Sequence, residues 1–154
     1  MRTLIVSDIH LGNGGPYDVF EGGTALPAML DHLSSNPLHV IVNGDAVDFL
    51  MNDDPLELDI ARAVRQAQAI AAFRPSAAVF EAFGRVLARG GAVTVRMGNH
   101  DVELFLPEVQ AVFRKALAQP DDVAKKLLFV NGDEPQFVEM GGTRILVTHG
   151  EQND

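Results

Sequence analysis

The feature that most constrains this chain is a recurrence: short apolar, β-branched runs end repeatedly in Asp, Asn or His beside glycine. Thr3 to Val6 leads into Ser7, Asp8, Ile9 and His10; Leu38 to Val42 leads into Asn43, Gly44 and Asp45; Ala92 to Met97 leads into Gly98, Asn99, His100 and Asp101. Runs without polar alternation read as buried strands, the pattern of a parallel sheet covered by helices on both faces. A fourth run, Thr143 to Thr148, ends in His149 and Gly150.

Segments of helical period separate the first three runs. They are Ala25 to Leu33, Leu56 to Phe73 after the breaker Asp54-Pro55, and Ser76 to Ala88, with Ser76 as cap after Pro75 and Gly90-Gly91 as stop. The predicted order is β-α-β-α-α-β. A helix is expected over Leu106 to Leu117, with Pro107 in its first turn, until Gln119-Pro120-Asp121-Asp122 breaks it. Leu127 to Val130, Gln136 to Met140 and Thr143 to Thr148 then read as consecutive antiparallel strands, divided by Asn131-Gly132-Asp133 and Gly141-Gly142. The fold class is α/β, and 154 residues with 47% hydrophobic content suit a single domain.

Ligands in open α/β sheets gather outside the carboxyl ends of strands. Four such ends can meet although 37, 54 and 50 residues separate Asp8, Asp45, Asn99 and His149. The chain has no cysteine, so any metal must be held by His, Asp, Glu or Asn. In an extended Asp8-Ile9-His10, residues i and i+2 point to one side and can share a cation while Ile9 packs inward. Asp45 has two oxygens with which to bridge two cations, Asn99 an amide oxygen and His149 an imidazole nitrogen. Glycines at 44, 98 and 150 let the backbone turn sharply there.

Charge narrows the function classes. Twelve Lys and Arg against 21 Asp and Glu leave a formal charge of −9, and basic residues gather only at Lys125-Lys126. A nucleic-acid backbone needs Lys and Arg to displace its counterions, so long DNA or RNA is disfavoured as a partner. Neither a secretory leader nor a transmembrane stretch of ~20 apolar residues is evident. A cytoplasmic protein is the default expectation.

The ordered set D-x-H, G-D-x-x-D, G-N-H-D and H-G, carried by Asp8-His10, Gly44-Asp48, Gly98-Asp101 and His149-Gly150, resembles the signature of the calcineurin-like metallophosphoesterases. The resemblance covers residues 3 to 150 and is greatest to the bacterial branch containing the UDP-2,3-diacylglucosamine hydrolases, with Glu151 standing where that branch has Asp. It implies a mixed β-sheet sandwich flanked by helices. The activity implied is hydrolysis of a phosphomonoester, phosphodiester or pyrophosphate by a hydroxide bridging two divalent metals, manganese first, iron or zinc next. Asp8 and His10 would hold one metal, Asp45 would bridge, and Asn99 and His149 would hold the second. His100 would act on the leaving group with Asp101 fixing its tautomer, and Asp48 would orient a ligand histidine from behind. A small phosphorylated substrate is the implied partner. The family also carries a G-H-x-H segment that residues 1–154 do not contain, so each metal is expected to lack one histidine and the second sheet to be incomplete.

Two other classes share these residues: a nuclease or cyclic-nucleotide phosphodiesterase, and a scaffold that keeps the fold without catalysis. Simpler roles also compete. An Asp at a strand end often caps a helix, Asn99 suits a left-handed turn, and Asp101 could cap a helix starting near Glu103. His32 and His39 read as structural, Asp53-Asp54 and Asp121-Asp122 as solvated turns. Phe105, Leu106, Val109, Val112 and Phe113 read as a core stripe.

Overall fold

The apolar runs form a parallel sheet of order β1-β2-β3-β4 in the computed structural model, which describes residues 1–51, 59–132 and 134–150. The strands are β1 (Arg2–Val6), β2 (Leu38–Asn43), β3 (Ala92–Arg96) and β4 (Leu127–Val130). Val6 pairs with Val42, Val42 with Val95 and Val95 with Phe129. All four carboxyl ends therefore lie along one edge.

Helices α1 (Ala25–Leu33), α2 (Ile60–Ala72), α3 (Arg74–Ala88), α4 (Pro107–Ala116) and the short α5 (Asp121–Ala124) connect these strands, and a two-stranded antiparallel hairpin, β5 (Gln136–Met140) and β6 (Thr143–Val147), completes the described chain. The predicted mixed α/β architecture, with its small second sheet, is the observed one. Side-chain alternation along β2 builds its layers. Val40 and Val42 join the helices in the main core, whereas Ile41 points the other way, to Val138 and Val147 of the hairpin. The helices of this core thus cover one face of the sheet and the hairpin packs on the other, in place of helices on both.

Several local expectations change. Leu127 to Val130 is not the first of three antiparallel strands: α4 and α5 intervene, giving the long crossover that a parallel neighbour of β3 requires. β1 is less buried than its composition suggests, because it lies at the sheet edge and leaves Ile5 exposed. α3 starts at Arg74 with Pro75 in its first turn. Ser76 is therefore inside the helix, and its hydroxyl donates to the Gly12 carbonyl at 2.7 Å. Asp121 and Asp122 occupy the first turn of α5, where the helix dipole favours acidic residues. Of the apolar stripe near α4, Val109 and Phe113 are buried but Phe105 is 70% exposed, since residues 102–105 form a separate 3-10 turn. The predicted start at Leu56 and the Asp53-Asp54 turn lie outside the described residues. Asp59 caps α2, accepting from the Arg62 N–H at 2.7 Å.

An aromatic group seats the loop after β2. Phe80 stacks on Phe113 with centroids 4.8 Å apart, and Phe49 meets Phe113 edge-on at 6.3 Å. His39 lies beside the Thr94 hydroxyl at 3.0 Å, its pKa lowered by burial, while His32 is exposed on α1.

Helices α1 and α3 are joined by a two-pronged pair, Arg85 Nε and a terminal nitrogen donating to the two Asp31 oxygens at 2.8 Å each. The bond from Arg85 holds the Asp31 carboxyl below its ordinary pKa. A depressed carboxyl stabilises the fold above its unfolded pKa, and that contribution is lost as pH falls through the folded value. The side chains are 37% and 36% exposed, however, and solvent screening limits such a pair to about 0.2–1 kcal/mol. Asp31→Asn should lower stability by no more than that at neutral pH, and the difference should vanish in acid below the Asp31 pKa, as read from paired thermal melts.

Candidate metal centre

The loops leaving β1, β2 and β3 are stitched together by their backbones before any side chain contributes. Asp8 N–H donates to Gly44 O at 3.2 Å, His10 N–H to Asp45 O at 2.9 Å, Leu11 N–H to Ala46 O at 3.0 Å, Asp48 N–H to Leu11 O at 3.0 Å, and Phe49 N–H to His100 O at 3.1 Å. Asp8, His10 and Asp45 adopt left-handed backbone conformations, with φ of 55°, 52° and 50°. That region is sparsely populated by residues other than glycine, Asn, Asp and His. The extended Asp8-Ile9-His10 expected from the sequence is therefore replaced by two left-handed residues flanking Ile9, and alternation is not what aims the side chains.

These turns bring six of the eight predicted site residues into two donor groups. One donor group is His10, Asp48 and His100; the other is Asp8, Asp45 and His149. Within each, one donor atom per residue lies within 4.8 Å of the others. Asp45 Oδ2 stands between the groups, 3.7 Å from His10 Nε2 and 3.7 Å from His149 Nε2. His149 Nε2 also lies 3.4 Å from Asp8 Oδ1. Asp45 Oδ1 is already engaged, accepting the His100 N–H at 3.0 Å. Asn99 is exposed on the same loop. It is in neither group, and nor is Asp101, which lies beneath them.

Asp48 is buried and faces both neighbouring imidazoles: its Oδ2 is 2.8 Å from His10 Nδ1 and its Oδ1 is 3.3 Å from His100 Nδ1. The same Oδ1 accepts from the N–H groups of Leu50 and Met51 at 3.0 Å each. Bonds of this kind to Nδ1 leave Nε2 of each ring as the outward-facing nitrogen. The rings of His10 and His100 meet edge to face, centroids 4.8 Å apart.

Asp101 departs from both expectations. Its carboxylate does not meet the His100 ring and does not cap the following turn. Instead it is fully buried and accepts from the N–H groups of Gly98 at 2.7 Å, Ala46 at 2.8 Å and Val47 at 3.4 Å. Burial pushes its pKa up to about 6 against the pull of these donors. It ties the loop after β3 to the loop after β2.

Close approach explains two glycines. A Cβ on Gly44, whose φ is +82°, would collide with the His149 ring; one on Gly98 would meet the Asp45 carboxylate and its backbone nitrogen at 2.7 Å. Two other residues, passed over in the sequence, hold the site from the side. Arg96 is 1% exposed and donates to Asn43 Oδ1 at 3.1 Å and to the carbonyls of Gly132 and Glu134 at 2.7 Å each. Asn43 Nδ2 donates to Thr148 O at 2.9 Å. The available signal was an arginine inside an otherwise apolar strand.

Oxygen and imidazole donors in two adjoining groups, with one carboxylate oxygen lying between them and His10 and His100 backed by a carboxylate, are chemically suited to divalent cations of intermediate hardness. No described helix is long and apolar enough to cross a membrane. A family model described as calcineurin-like phosphoesterase matches residues 1–153. No curated protein matches the chain.

Proposed function

The chain belongs to the calcineurin-like phosphoesterase family and is thus a metal-dependent phosphoesterase, and from this premise we propose that it hydrolyses a small phosphate ester at the Asp45 centre with two divalent cations, manganese first. The observation that carries the reading is the position of Asp45 Oδ2, 3.7 Å from a histidine nitrogen on either side. Asp8, His10, Asp45, Asn99 and His149 are the proposed ligands. A G-H-x-H segment, under this reading, would add one histidine to each cation.

When bound, two such cations supply Lewis acidity, lower the pKa of a water and align it for in-line attack on phosphorus. The chain's own residues do the rest. Asp48 holds His10 and His100 by their Nδ1 atoms, so that His10 presents Nε2 as a donor and His100 presents Nε2 toward the leaving group. A protonated His100 then donates at Nε2 to the departing oxygen, with Asp48 in place to stabilise the imidazolium. Asp48 thus orients His10, as expected of it, and takes over from Asp101 the role expected toward His100.

For substrate we place a nucleoside diphosphate conjugate with an apolar portion first. The likeness of Gly44 to Leu50 to the diacylglucosamine hydrolase branch supports this. So does the exposure of Leu50, Val102 and Phe105 on the loops that carry Asp48 and His100; large exposed apolar side chains beside a polar centre suit an amphipathic ligand. Long nucleic acids are disfavoured by the −9 charge.

The test is metal content together with turnover. Purified protein stripped with chelator should lose hydrolysis of bis-p-nitrophenyl phosphate and regain it on manganese addition, and a nucleoside diphosphate conjugate should be cleaved in preference to a dinucleotide. Preference for the dinucleotide would favour the nuclease reading. Absence of metal binding and turnover would leave a scaffold.

A further inference from the structure

His149 is the one proposed ligand that does not leave the first sheet. It follows β6, and among the described residues no backbone ladder joins the hairpin to β1–β4. Among the described residues, the buried apolar cluster between the two layers is Ile41, Val138 and Val147. Such contact is non-directional and fixes position less sharply than a hydrogen bond does. A ligand position tolerates little slack.

Beside the approach of His149 to Asp8 and Asp45, a directional contact is made by backbone and amide groups. Asn43 and Arg96 are register partners at the carboxyl ends of β2 and β3. Arg96 can only donate, so the amide oxygen of Asn43 faces it and the amide nitrogen is left to donate to Thr148 O, the carbonyl directly before His149. The remaining arms of the guanidinium hold Gly132 O and Glu134 O, just ahead of β5. The fork thus reaches the start of the hairpin while Asn43 reaches its end. On the next residue, Gly44 offers a bare Cα as the seat for the His149 ring.

We infer that Asn43 and Arg96 are positioning residues that set the placement of His149 against the first sheet and thereby tune the affinity of one of the two cation sites. The cation part rests on the function proposed above; the placement part does not.

Asn43→Asp separates this role from simple folding. The carboxylate still accepts from Arg96, now as an ion pair, but has no N–H for Thr148 and sets a negative oxygen against its carbonyl. In metal-free protein, nuclear magnetic resonance should show the Thr148 and His149 amide and His149 ring signals moved in Asn43→Asp while His32 on α1 is unchanged; Arg96→Lys, which keeps the charge but loses the fork, should move the same signals. In calorimetric titration with Mn²⁺, Asn43→Asp should weaken by about 10- to 100-fold the binding event that His149→Ala removes, with the other event retained. Unmoved His149 signals in both variants would overturn the inference, as would two manganese affinities equal to wild type in a variant whose His149→Ala counterpart has lost one. If wild type binds no manganese, the functional proposal fails, and the resonance measurement still decides whether Asn43 and Arg96 place His149.

Discussion

Asp45→Asn is expected to reduce hydrolysis of bis-p-nitrophenyl phosphate by at least about a hundredfold, because disturbing even the outer partners of a metal site costs about 10- to 100-fold in affinity or activity. The substitution is informative because the two oxygens of Asp45 have different work. Oδ1 accepts the His100 N–H at 3.0 Å, and the amide oxygen of Asn can keep that bond and the loop it anchors. Oδ2, which faces His10 and His149, becomes an NH₂ group that has no lone pair for a cation. Fold and loop should survive while metal content falls. Elemental analysis of the purified variant, with its turnover at saturating manganese, checks this; full metal content with wild-type turnover would refute the role given to Asp45.

Asp101→Asn should damage a different property. Its carboxylate accepts three backbone N–H groups in a fully buried position. An amide offers one acceptor and turns two donors toward other donors. Leaving buried N–H groups without an acceptor costs about 1–3 kcal/mol each. Some relaxation is available and the neutral amide is spared the burial cost that raises the Asp101 pKa, so a net loss of about 1–2 kcal/mol is expected, or about 2–8 °C in Tm for a chain of this size. A thermal melt in the absence of metal reads it directly. If Asp101 acted on the His100 ring instead, the variant would lose turnover with an unchanged Tm.

These two aspartates mark where the sequence was legible and where it was not. That strand ends would converge was readable, because uninterrupted apolar runs imply parallel strands and parallel strands align their carboxyl ends. Asp8, Asp45 and His149 were chosen by chemical type and order and lie in one group, but Asp8 was expected to share a cation with His10, which the structure groups with Asp48 and His100. That Asp48 would back a ligand histidine was readable, as it does His10; which carboxylate serves His100 was not. Asp101 is next to His100 in the chain, but the turn after Gly98 drives its side chain under the loop, while Asp48, 52 residues distant, faces the ring. Adjacency in sequence was misleading because three N–H donors converge on the space below. The placement of β4 was lost for a related reason: Leu127 to Val130 has the same local character as the hairpin strands, and only the length of the preceding helical connection distinguishes a parallel neighbour. Helix bounds were met at both ends for Ala25–Leu33 and, at a stop signal, at Ala88 before Gly90-Gly91.

The left-handed backbone at Asp8, His10 and Asp45 restricts how this centre can drift over evolutionary time or under mutagenesis. Such a conformation carries a penalty of roughly 1–2 kcal/mol for ordinary L-residues, one that Asn and Asp ease with their short polar side chains. Alanine at these positions would therefore remove a donor and strain the chain together, and an alanine scan would count both losses as one. Asparagine is the more discriminating probe at all three. In a saturation library selected for folding alone, glycine, Asn, Asp and His should dominate these positions even in the absence of any demand for chemistry. The residues that can bind a cation here are largely the residues that can make the turn.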